Sequence, residues 1–123
     1  MADMKLSIII PAFNERSTIL EILKRIESVD LGLEKEIIIV DDCSTDGTTD
    51  ILKMLDKNQY KIILKNKNEG KGAAIKTGLT QAQGEFVIFQ DADLEYDPRD
   101  YPAMIQPILD GKTEVVLGIR IKP

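Results

Sequence analysis

The sequence contains no histidine, and only one of its 123 residues is cysteine. Without histidine, the protein has no imidazole for acid–base catalysis or for coordinating zinc. The single Cys43 excludes an internal disulfide and a CxxC site, so a reducing compartment is expected. No apolar run approaches the ~20 residues needed to span a bilayer, and residues 1–5 lack a signal-peptide pattern. The chain as given is therefore expected to be soluble.

Basic residues are also in the minority. The chain has 16 Lys and Arg against 21 Asp and Glu, a formal net charge of −5. This balance, with no basic stripe along the sequence, argues against a nucleic-acid partner. A hydrophobic content of 43% and a length of 123 residues are typical of one globular domain with a real core. We therefore expect a single domain over residues 1–123.

Short apolar runs alternate with segments of helical periodicity. The runs predicted as buried strands are Lys5–Ile10, Glu36–Val40, Tyr60–Leu64, Glu85–Phe89 and Glu114–Gly118. Pro11 is expected to end the first strand, and Asn14 to cap a helix whose apolar face contains Ile19, Ile22, Leu23 and Ile26. Such alternation implies βαβ units and a mostly parallel sheet covered on both faces. The predicted fold class is α/β, a Rossmann-like three-layer sandwich.

A cluster of acidic residues follows the fourth apolar run. Asp91, Asp93 and Glu95 have period-two spacing, which puts their side chains on one side of an extended segment. Three carboxylates there repel one another unless a cation lies among them. Hard oxygen ligands suit Mg²⁺ or Mn²⁺, which also bind a partner's phosphates. Considered alone, the motif is better explained as a solvated acidic turn, because short motifs often match by chance.

Chemically active residues also follow the other predicted strands. In an open parallel sheet, ligands bind beyond the carboxyl ends of the strands, where the strand order reverses. The segments expected at that edge are Pro11–Glu15, Asp41–Ser44, Asp91–Glu95 and Gly118–Arg120. A purely structural sequence has no reason to crowd carboxylates together, since their repulsion is destabilising. The joint pattern therefore predicts a ligand site.

Five segments together resemble the nucleotide-binding half of family 2 glycosyltransferases with the GT-A fold. They are Ser-Ile-Ile-Ile-Pro-Ala-Phe-Asn-Glu (7–15), Ile-Val-Asp-Asp-Cys-Ser-Thr-Asp-Gly-Thr (39–48), Asn-Glu-Gly-Lys-Gly-Ala-Ala (68–74), Asp-Ala-Asp-Leu-Glu (91–95) and Val-Leu-Gly-Ile-Arg (116–120). The likeness extends to the polyprenyl-phosphate group, which includes dolichyl-phosphate mannosyltransferases. The resemblance implies a UDP- or GDP-sugar donor, Mg²⁺ or Mn²⁺, and a polyprenyl-phosphate acceptor. It also implies a cytoplasmic location, at the cytoplasmic face of a membrane in the full-length protein.

The resemblance also implies roles for individual residues. The residues implied at the donor nucleotide-sugar are Pro11, Phe13, Glu15, Val40, Asp42, Lys71, Asp91, Ala92 and Arg120. Within this set, Asp42 would accept a hydrogen bond from a ring N–H of the base, and Arg120 would contact the diphosphate. The residues implied as metal ligands are Asp93 and Glu95, and those with a catalytic part are Asp91, Asp93 and Arg120. Asp41 would support its loop.

The implied reaction is an inverting glycosyl transfer. The anomeric C–O bond breaks through an oxocarbenium-like transition state, and a divalent cation with Arg120 would stabilise the charge on the diphosphate. A polyprenyl phosphate is already ionised and needs no strong general base. Family members continue past the Gly-x-Arg segment with an acceptor-binding half, so the chain is expected to be a donor-binding fragment. An uncovered sheet edge after the fifth strand would favour self-association.

Two other functions fit part of the pattern. A non-catalytic nucleotide-sugar-binding domain would share the same pocket. A receiver-type signalling domain has a similar length, five strands and an acidic pocket. Receivers, however, place their acids after strands one and three, whereas here strand one is followed by Pro11-Ala-Phe13 and the acidic cluster follows strand four. The glycosyltransferase interpretation is therefore favoured.

Overall fold

A computed structural model describes residues 5–94 and 97–109 of the chain. Its helices and strands are, in order, β1 (Lys5–Ala12), α1 (Ile19–Glu27), β2 (Glu34–Asp41), α2 (Thr48–Lys53), β3 (Tyr60–Leu64), α3 (Lys71–Leu79), β4 (Phe86–Phe89) and α4 (Tyr101–Leu109). A single 3-10 turn at Pro98–Asp100 leads into α4. The predicted alternation of strands and helices is confirmed, while the predicted fifth strand lies outside the described residues.

The four strands of the described sheet are parallel and stand in the order β3-β2-β1-β4. The chain builds outward from β1 to β3 and then crosses back, so the strand order reverses between β1 and β4. Pairing of β1 with β4 stops at Ile9 and Phe89, whereas pairing of β1 with β2 continues to Ala12 and Asp41. A crevice therefore opens between the carboxyl ends of β1 and β4, where open α/β sheets bind ligands.

This strand order also excludes a receiver domain. In the flavodoxin-like order of receivers, strand one lies between strands two and three. Here β1 lies between β2 and β4. The described order is instead that of the classic dinucleotide-binding sheet.

Helices cover both faces of the sheet because alternate strand residues point to opposite faces. On one face, Ile8 and Ile39 belong to the larger core, which also contains residues of α1, α2 and α4. On the other face, Ile9 and Ile38 belong to a smaller core with Ala74 of α3. The predicted three-layer α/β sandwich is confirmed. None of the helices within 5–94 and 97–109 is long and apolar enough to cross a membrane.

Strand β1 is longer than predicted, because Pro11 lies within it rather than ending it. Ile9 O accepts the Gln90 N–H on the β4 side, and Ala12 O accepts the Asp42 N–H on the β2 side. Since the residues of a strand alternate between its two neighbours, Pro11 faces the β4 side, where pairing has already ended. Its missing N–H therefore breaks no ladder hydrogen bond.

Candidate functional site

A cleft of about 420 Å³ lies at the carboxyl ends of β1, β2 and β4, bordered by the first turns of α3. The residues that line it are Pro11, Ala12, Phe13, Glu15, Asp42, Asn68, Gly70, Lys71, Ala74, Asp91, Ala92 and Asp93. They come from four segments that are distant in the sequence and that parallel strands bring to one edge. The cleft thus lies at the edge where the sequence pattern predicted a ligand site.

The segment after β1 is held in place by the loop after β2. Asn14 adopts the left-handed conformation, with φ of 55°. Its N–H donates to Ser44 Oγ at 2.9 Å, and its side-chain oxygen accepts the Thr45 N–H at 2.8 Å. Asn14 therefore joins two loops and does not cap α1, as had been predicted; the N-cap of α1 is Thr18. A short polar side chain is suited to this strained turn because it can bond locally.

The two acids at the end of β2 have different tasks. Asp41 accepts hydrogen bonds from Ser44 Oγ at 2.6 Å and from the Thr49 hydroxyl, so it supports its own loop as expected. Asp42 is buried, and its carboxylate accepts the backbone N–H groups of Glu69 at 3.0 Å and Gly70 at 2.8 Å. Asp42 thereby fixes the glycine-bearing loop that leads into α3.

The same loop places the charged amino group of Lys71 beside Asp91, which follows β4. Gly70 has φ of 99°, a conformation that residues with a Cβ rarely adopt, and the chain then enters α3 at Lys71. Lys71 Nζ lies 2.5 Å from Asp91 Oδ1 across the cleft. The Lys71 side chain is about half exposed, so it can also reach a ligand in the cleft.

The cleft has a strongly negative side formed by Glu15, Asp91 and Asp93. Burial raises the pKa of the Glu15 carboxyl; the Thr18 hydroxyl, which bonds it at 3.0 Å, opposes this effect, and the negative charges of Asp93, Asp46 and Asp91 add to it. Carboxylates that hinder one another's ionisation in this way favour a cation between them. This side of the cleft has the charge and the oxygen donors that a hard divalent cation prefers.

Within the described residues, no group of three or more His, Cys, Asp or Glu is arranged as a complete metal site. Asp91 and Asp93 are the carboxylates of the acidic motif that lie in the cleft. Glu95, the second predicted metal ligand, lies outside the described residues. Magnesium and manganese are often bound by one or two carboxylates together with substrate phosphates and water, so these two oxygen donors fit such an ion.

Most of the predicted site residues come together in the cleft. Those that line it are Pro11, Phe13, Glu15, Asp42, Lys71, Asp91, Ala92 and Asp93. Val40 does not join them, because its side chain is 0% exposed and packs in the smaller core with Ile9 and Ala74. The Val40 side chain therefore packs beneath α3, and its predicted place at the donor nucleotide-sugar stays a prediction. Arg120 lies outside the described residues.

The sequence pattern missed several lining residues, chiefly Asn68 and Gly70. Both belong to the loop after β3, where the basic and amide residues were not assigned to a site. Their position in the sequence could have indicated them. This loop also follows a strand and begins a helix with a Gly-Lys pair, as phosphate-binding turns do. Ala12 and Ala74 contribute small side chains that leave room in the cleft.

Two solved structures with a similar fold contain a bound sugar nucleotide. S. aureus TarS (residues 1–349) in complex with UDP-GlcNAc has a TM-score of 0.70 and 33% identity, covering 88% of this chain and 32% of that chain. The mannosyltransferase PcManGT from Pyrobaculum calidifontis, in complex with GDP-Man and Mn²⁺, has a TM-score of 0.65 and 30% identity, covering 77% of this chain and 29% of that chain. The fold and cleft thus define a GT-A type glycosyltransferase domain.

The sequence comparisons assign the family. Residues 7–123 match the family Glycosyl transferase family 2, and the chain belongs to it. Its relatives include a dolichol-phosphate mannosyltransferase from Pyrococcus furiosus, 36% identical over 95% of this chain and 33% of the relative. They also include an undecaprenyl-phosphate 4-deoxy-4-formamido-L-arabinose transferase from Pseudomonas syringae, 39% identical over 81% of this chain and 31% of the relative. The chain spans about a third of the length of these relatives.

Proposed function

We propose that this chain binds the nucleotide-diphospho-sugar donor of a family 2 glycosyltransferase, together with Mg²⁺ or Mn²⁺, in the cleft between β1 and β4. The observation that carries the proposal is the convergence of Phe13, Asp42, Lys71 and Asp91 on one cleft at the point where strand order reverses. The size of the cleft, about 420 Å³, suits a ligand of this class.

The nucleoside would lie against Pro11 and Phe13. Phe13 is exposed at the cleft although it is a large apolar side chain, which favours a role in contacting a ligand over a role in the core. Asp42 is already oriented by the two backbone N–H groups that it accepts, and its remaining lone pairs could accept a ring N–H of the base. The base contact therefore needs little reorganisation.

The diphosphate would lie between Lys71 and the acidic end of β4. Asp93 and Glu95 would hold the divalent cation, and Asp91 would approach the ribose or a phosphate of the donor. When bound, such a cation would stabilise the negative charge that develops on the diphosphate leaving group. Lys71 would contribute a second positive charge by exchanging its contact with Asp91 for one with a phosphate oxygen. Arg120 is proposed to contact the same diphosphate.

For the whole enzyme we propose inverting transfer of the sugar to a polyprenyl phosphate at the cytoplasmic face of a membrane. This acceptor class is supported by the two relatives, whose names specify dolichol phosphate and undecaprenyl phosphate. An ionised phosphate acceptor does not require a strong general base. Residues 1–123 would form one donor-binding domain of that enzyme.

Calorimetric titration with UDP and GDP, with and without Mn²⁺, tests the donor site. We expect one nucleotide to bind in a manner that depends on the metal, and we expect Asp93→Asn to abolish that dependence. Asp50→Asn is the matched control, because it removes the same charge from an exposed position on α2. Binding that ignores the metal would contradict the role of Asp93. No binding of either nucleotide to the folded protein would contradict the donor site itself.

A non-catalytic sugar-nucleotide-binding domain would give the same titration. It is distinguished by incubating the protein with a radiolabelled sugar nucleotide and a short polyprenyl phosphate. Formation of a labelled lipid favours the enzyme. Donor binding without product, in a chain extended to the length of its relatives, would favour the binding domain.

A further inference from the structure

Asp91 and Asp93 are joined by two peptide groups, whose carbonyl oxygens belong to Asp91 and Ala92. Because each residue has only two soft backbone dihedrals, the orientation of these two groups sets how the carboxylates of Asp91 and Asp93 lie relative to each other. A site that binds a cation and a diphosphate through these carboxylates needs that geometry to be fixed in advance. The segment of residues 90–93 is called the acidic loop below.

Both carbonyl groups accept a hydrogen bond from a side chain, one within the acidic loop and one at the start of α1. Gln90 Nε2 donates to Asp91 O at 3.0 Å. Thr18 Oγ1, which lies 74 residues earlier in the chain, donates to Ala92 O at 2.6 Å. The two peptide groups that connect the carboxylate-bearing residues are thus each held by a hydrogen bond to a side chain.

The Gln90 amide is itself held by the core. Gln90 is 1% exposed, and its Oε1 accepts the hydroxyl of Tyr101 at 2.6 Å. Tyr101 is 2% exposed at the beginning of α4, and burial raises the pKa of its hydroxyl, which therefore remains a donor at neutral pH. Because Oε1 faces Tyr101, the NH₂ group of the amide is directed toward Asp91 O. Helix α4 is in this way connected to the acidic loop.

Thr18 is the N-cap residue of α1, yet its side chain makes no capping hydrogen bond. A threonine at this position normally accepts a backbone N–H of the first helical turn, which stabilises the helix. Here the hydroxyl forgoes that bond and is directed to Ala92 O, while also lying 3.0 Å from Glu15 Oε2. The Thr18 hydroxyl at the start of α1 therefore binds the acidic loop and does not cap the helix.

We propose that Thr18, Gln90 and Tyr101 are positioning residues, which hold Asp91 and Asp93 in the arrangement that binds the cation and the donor diphosphate. The inference rests on the proposed function, because it assigns these residues to the same site. Tyr101 is outside the set that lines the cleft, and so are Thr18 and Gln90. They act through the backbone of the acidic loop.

The first test is calorimetric titration of the Mn²⁺-dependent nucleotide in Thr18→Val, which keeps the branched shape and removes the hydroxyl. We expect its affinity to fall about tenfold, as is typical when a group that orients a metal ligand is lost. Thr18→Ser keeps the hydroxyl and is expected to bind as the wild type does. Thr80→Val is the matched control, because Thr80 Oγ1 also donates to a carbonyl, Thr77 O at 2.6 Å, at an exposed position away from the cleft.

The second test needs no ligand. Amide hydrogen exchange, followed by NMR, is compared at Ala92 and Asp93 in the wild type, in Thr18→Val and in Tyr101→Phe. Loss of either hydrogen bond is expected to speed exchange at these two amides while β1 and β2 exchange as before. Tyr101→Phe removes only a hydroxyl, so it also decides the matter if Thr18→Val does not fold.

The outcomes separate the inference from the function on which it rests. If the wild type binds its nucleotide with metal and Thr18→Val binds equally well, the positioning role is overturned while the donor site stands. If Thr18→Val and Thr80→Val weaken binding alike, the effect is a general loss of stability and the positioning role is again overturned. If the wild type binds no nucleotide, the donor site is overturned. In that case unchanged exchange at Ala92 and Asp93 would remove the positioning role as well.

Discussion

At the scale of single residues, the pKa of Glu15 reflects both its burial and the negative charge of the cleft. Its carboxyl is partly buried and faces Asp91 and Asp93. Burial and these negative neighbours raise its pKa above the ordinary 4.5, so the folded protein holds the proton more tightly than the unfolded chain does. Stability therefore falls as the pH rises through the range between the ordinary and the raised pKa, and the loss persists at higher pH.

The prediction is that Glu15→Gln stabilises the ligand-free protein at pH 7. Glutamine has no charge to bury beside Asp91 and Asp93, and its amide can donate to Thr18 Oγ1, whose own hydrogen is directed to Ala92 O. Urea unfolding should show a higher free energy of unfolding for the variant at pH 7, with the difference vanishing below pH 4.5, the ordinary pKa of the carboxyl. Glu27→Gln, at an exposed position on α1, should behave as the wild type does. An equal difference at both pH values would contradict this account.

At the scale of helices and strands, close packing of α3 depends on Gly78. A Cβ at this position would lie 2.6 Å from Ile9 Cγ2 and 3.3 Å from Val40 Cγ2, both on buried side chains. Glycine is otherwise unfavourable inside a helix by roughly 1 kcal/mol relative to alanine. Its presence here allows the backbone of α3 to approach β1 and β2.

Gly78→Ala is therefore predicted to destabilise the protein by about 1–3 kcal/mol, because overpacking outweighs the gain in helix propensity. Gly72→Ala, in the same helix, should instead stabilise by up to about 1 kcal/mol, because a Cβ there meets nothing within 4 Å. Urea unfolding of both variants checks this pair. Equal effects of the two substitutions would mean that contact with Ile9 does not govern the packing.

The opposite end of the sheet is held by a buried acid in β2. Glu36 accepts Ser7 Oγ at 2.5 Å, Lys61 Nζ at 2.7 Å and the Gln83 N–H at 2.8 Å. Burial raises the pKa of Glu36, but these hydrogen bonds outweigh burial and lower it. Glu36 thus ties β1, β2 and β3 to the segment that leads into β4.

Replacing Glu36 by Gln is predicted to cost about 2 kcal/mol of stability at pH 7, since charged hydrogen bonds are lost in a buried site. A lowered folded-state pKa gives stability that is present above the ordinary 4.5 and is lost as the pH falls through the folded-state pKa, so the cost should shrink in acid. Glu34→Gln is the control, because Glu34 is in the same strand, also faces a lysine, and is 68% exposed. Equal costs for the two variants in chemical denaturation would refute this role.

The elements that could be predicted from the sequence are those with a strong periodic signal. The Tyr60–Leu64 strand and the buried face of α1 at Ile19, Ile22, Leu23 and Ile26 appear as predicted. The end of β1 and the start of α1 did not, because their local signals compete with tertiary contacts. Pro11 can remain in β1 because the pairing with β4 has already ended on the side that its backbone faces. Asn14 accepts a hydrogen bond from the loop after β2 and does not cap its own helix.

At the scale of the whole molecule, the order and direction of the strands determine where the cleft lies. The sequence pattern could place Phe13, Asp42 and Asp91 at one edge, because parallel strands end together. It could not show that Val40 is covered by α3, nor that Asp42 anchors the loop at Gly70, since both depend on how α3 packs across the sheet. The hydroxyl of Thr18 was likewise invisible, because its partner lies 74 residues away.

Because the strands are parallel, the described structure has two distinct polar ends. The carboxyl ends carry the cleft with Lys71 and the acidic loop. The amino ends carry the Glu36 network and a second, smaller hollow of about 340 Å³ that includes Lys35 and Lys61. Lysines at either end attract a negatively charged nucleotide diphosphate, so the end at which it binds distinguishes the cleft from this hollow.

Hydrogen–deuterium exchange with mass spectrometry, in the presence and absence of UDP or GDP with Mn²⁺, tests the position of binding most directly. The account predicts slower exchange in residues 11–15, 68–74 and 90–93 when the nucleotide and the metal are both present. It also predicts unchanged exchange in residues 35–37 and 57–61 at the other end of the sheet. Slower exchange confined to that other end would contradict the account, because the nucleotide would then bind where the strands begin rather than in the cleft between β1 and β4.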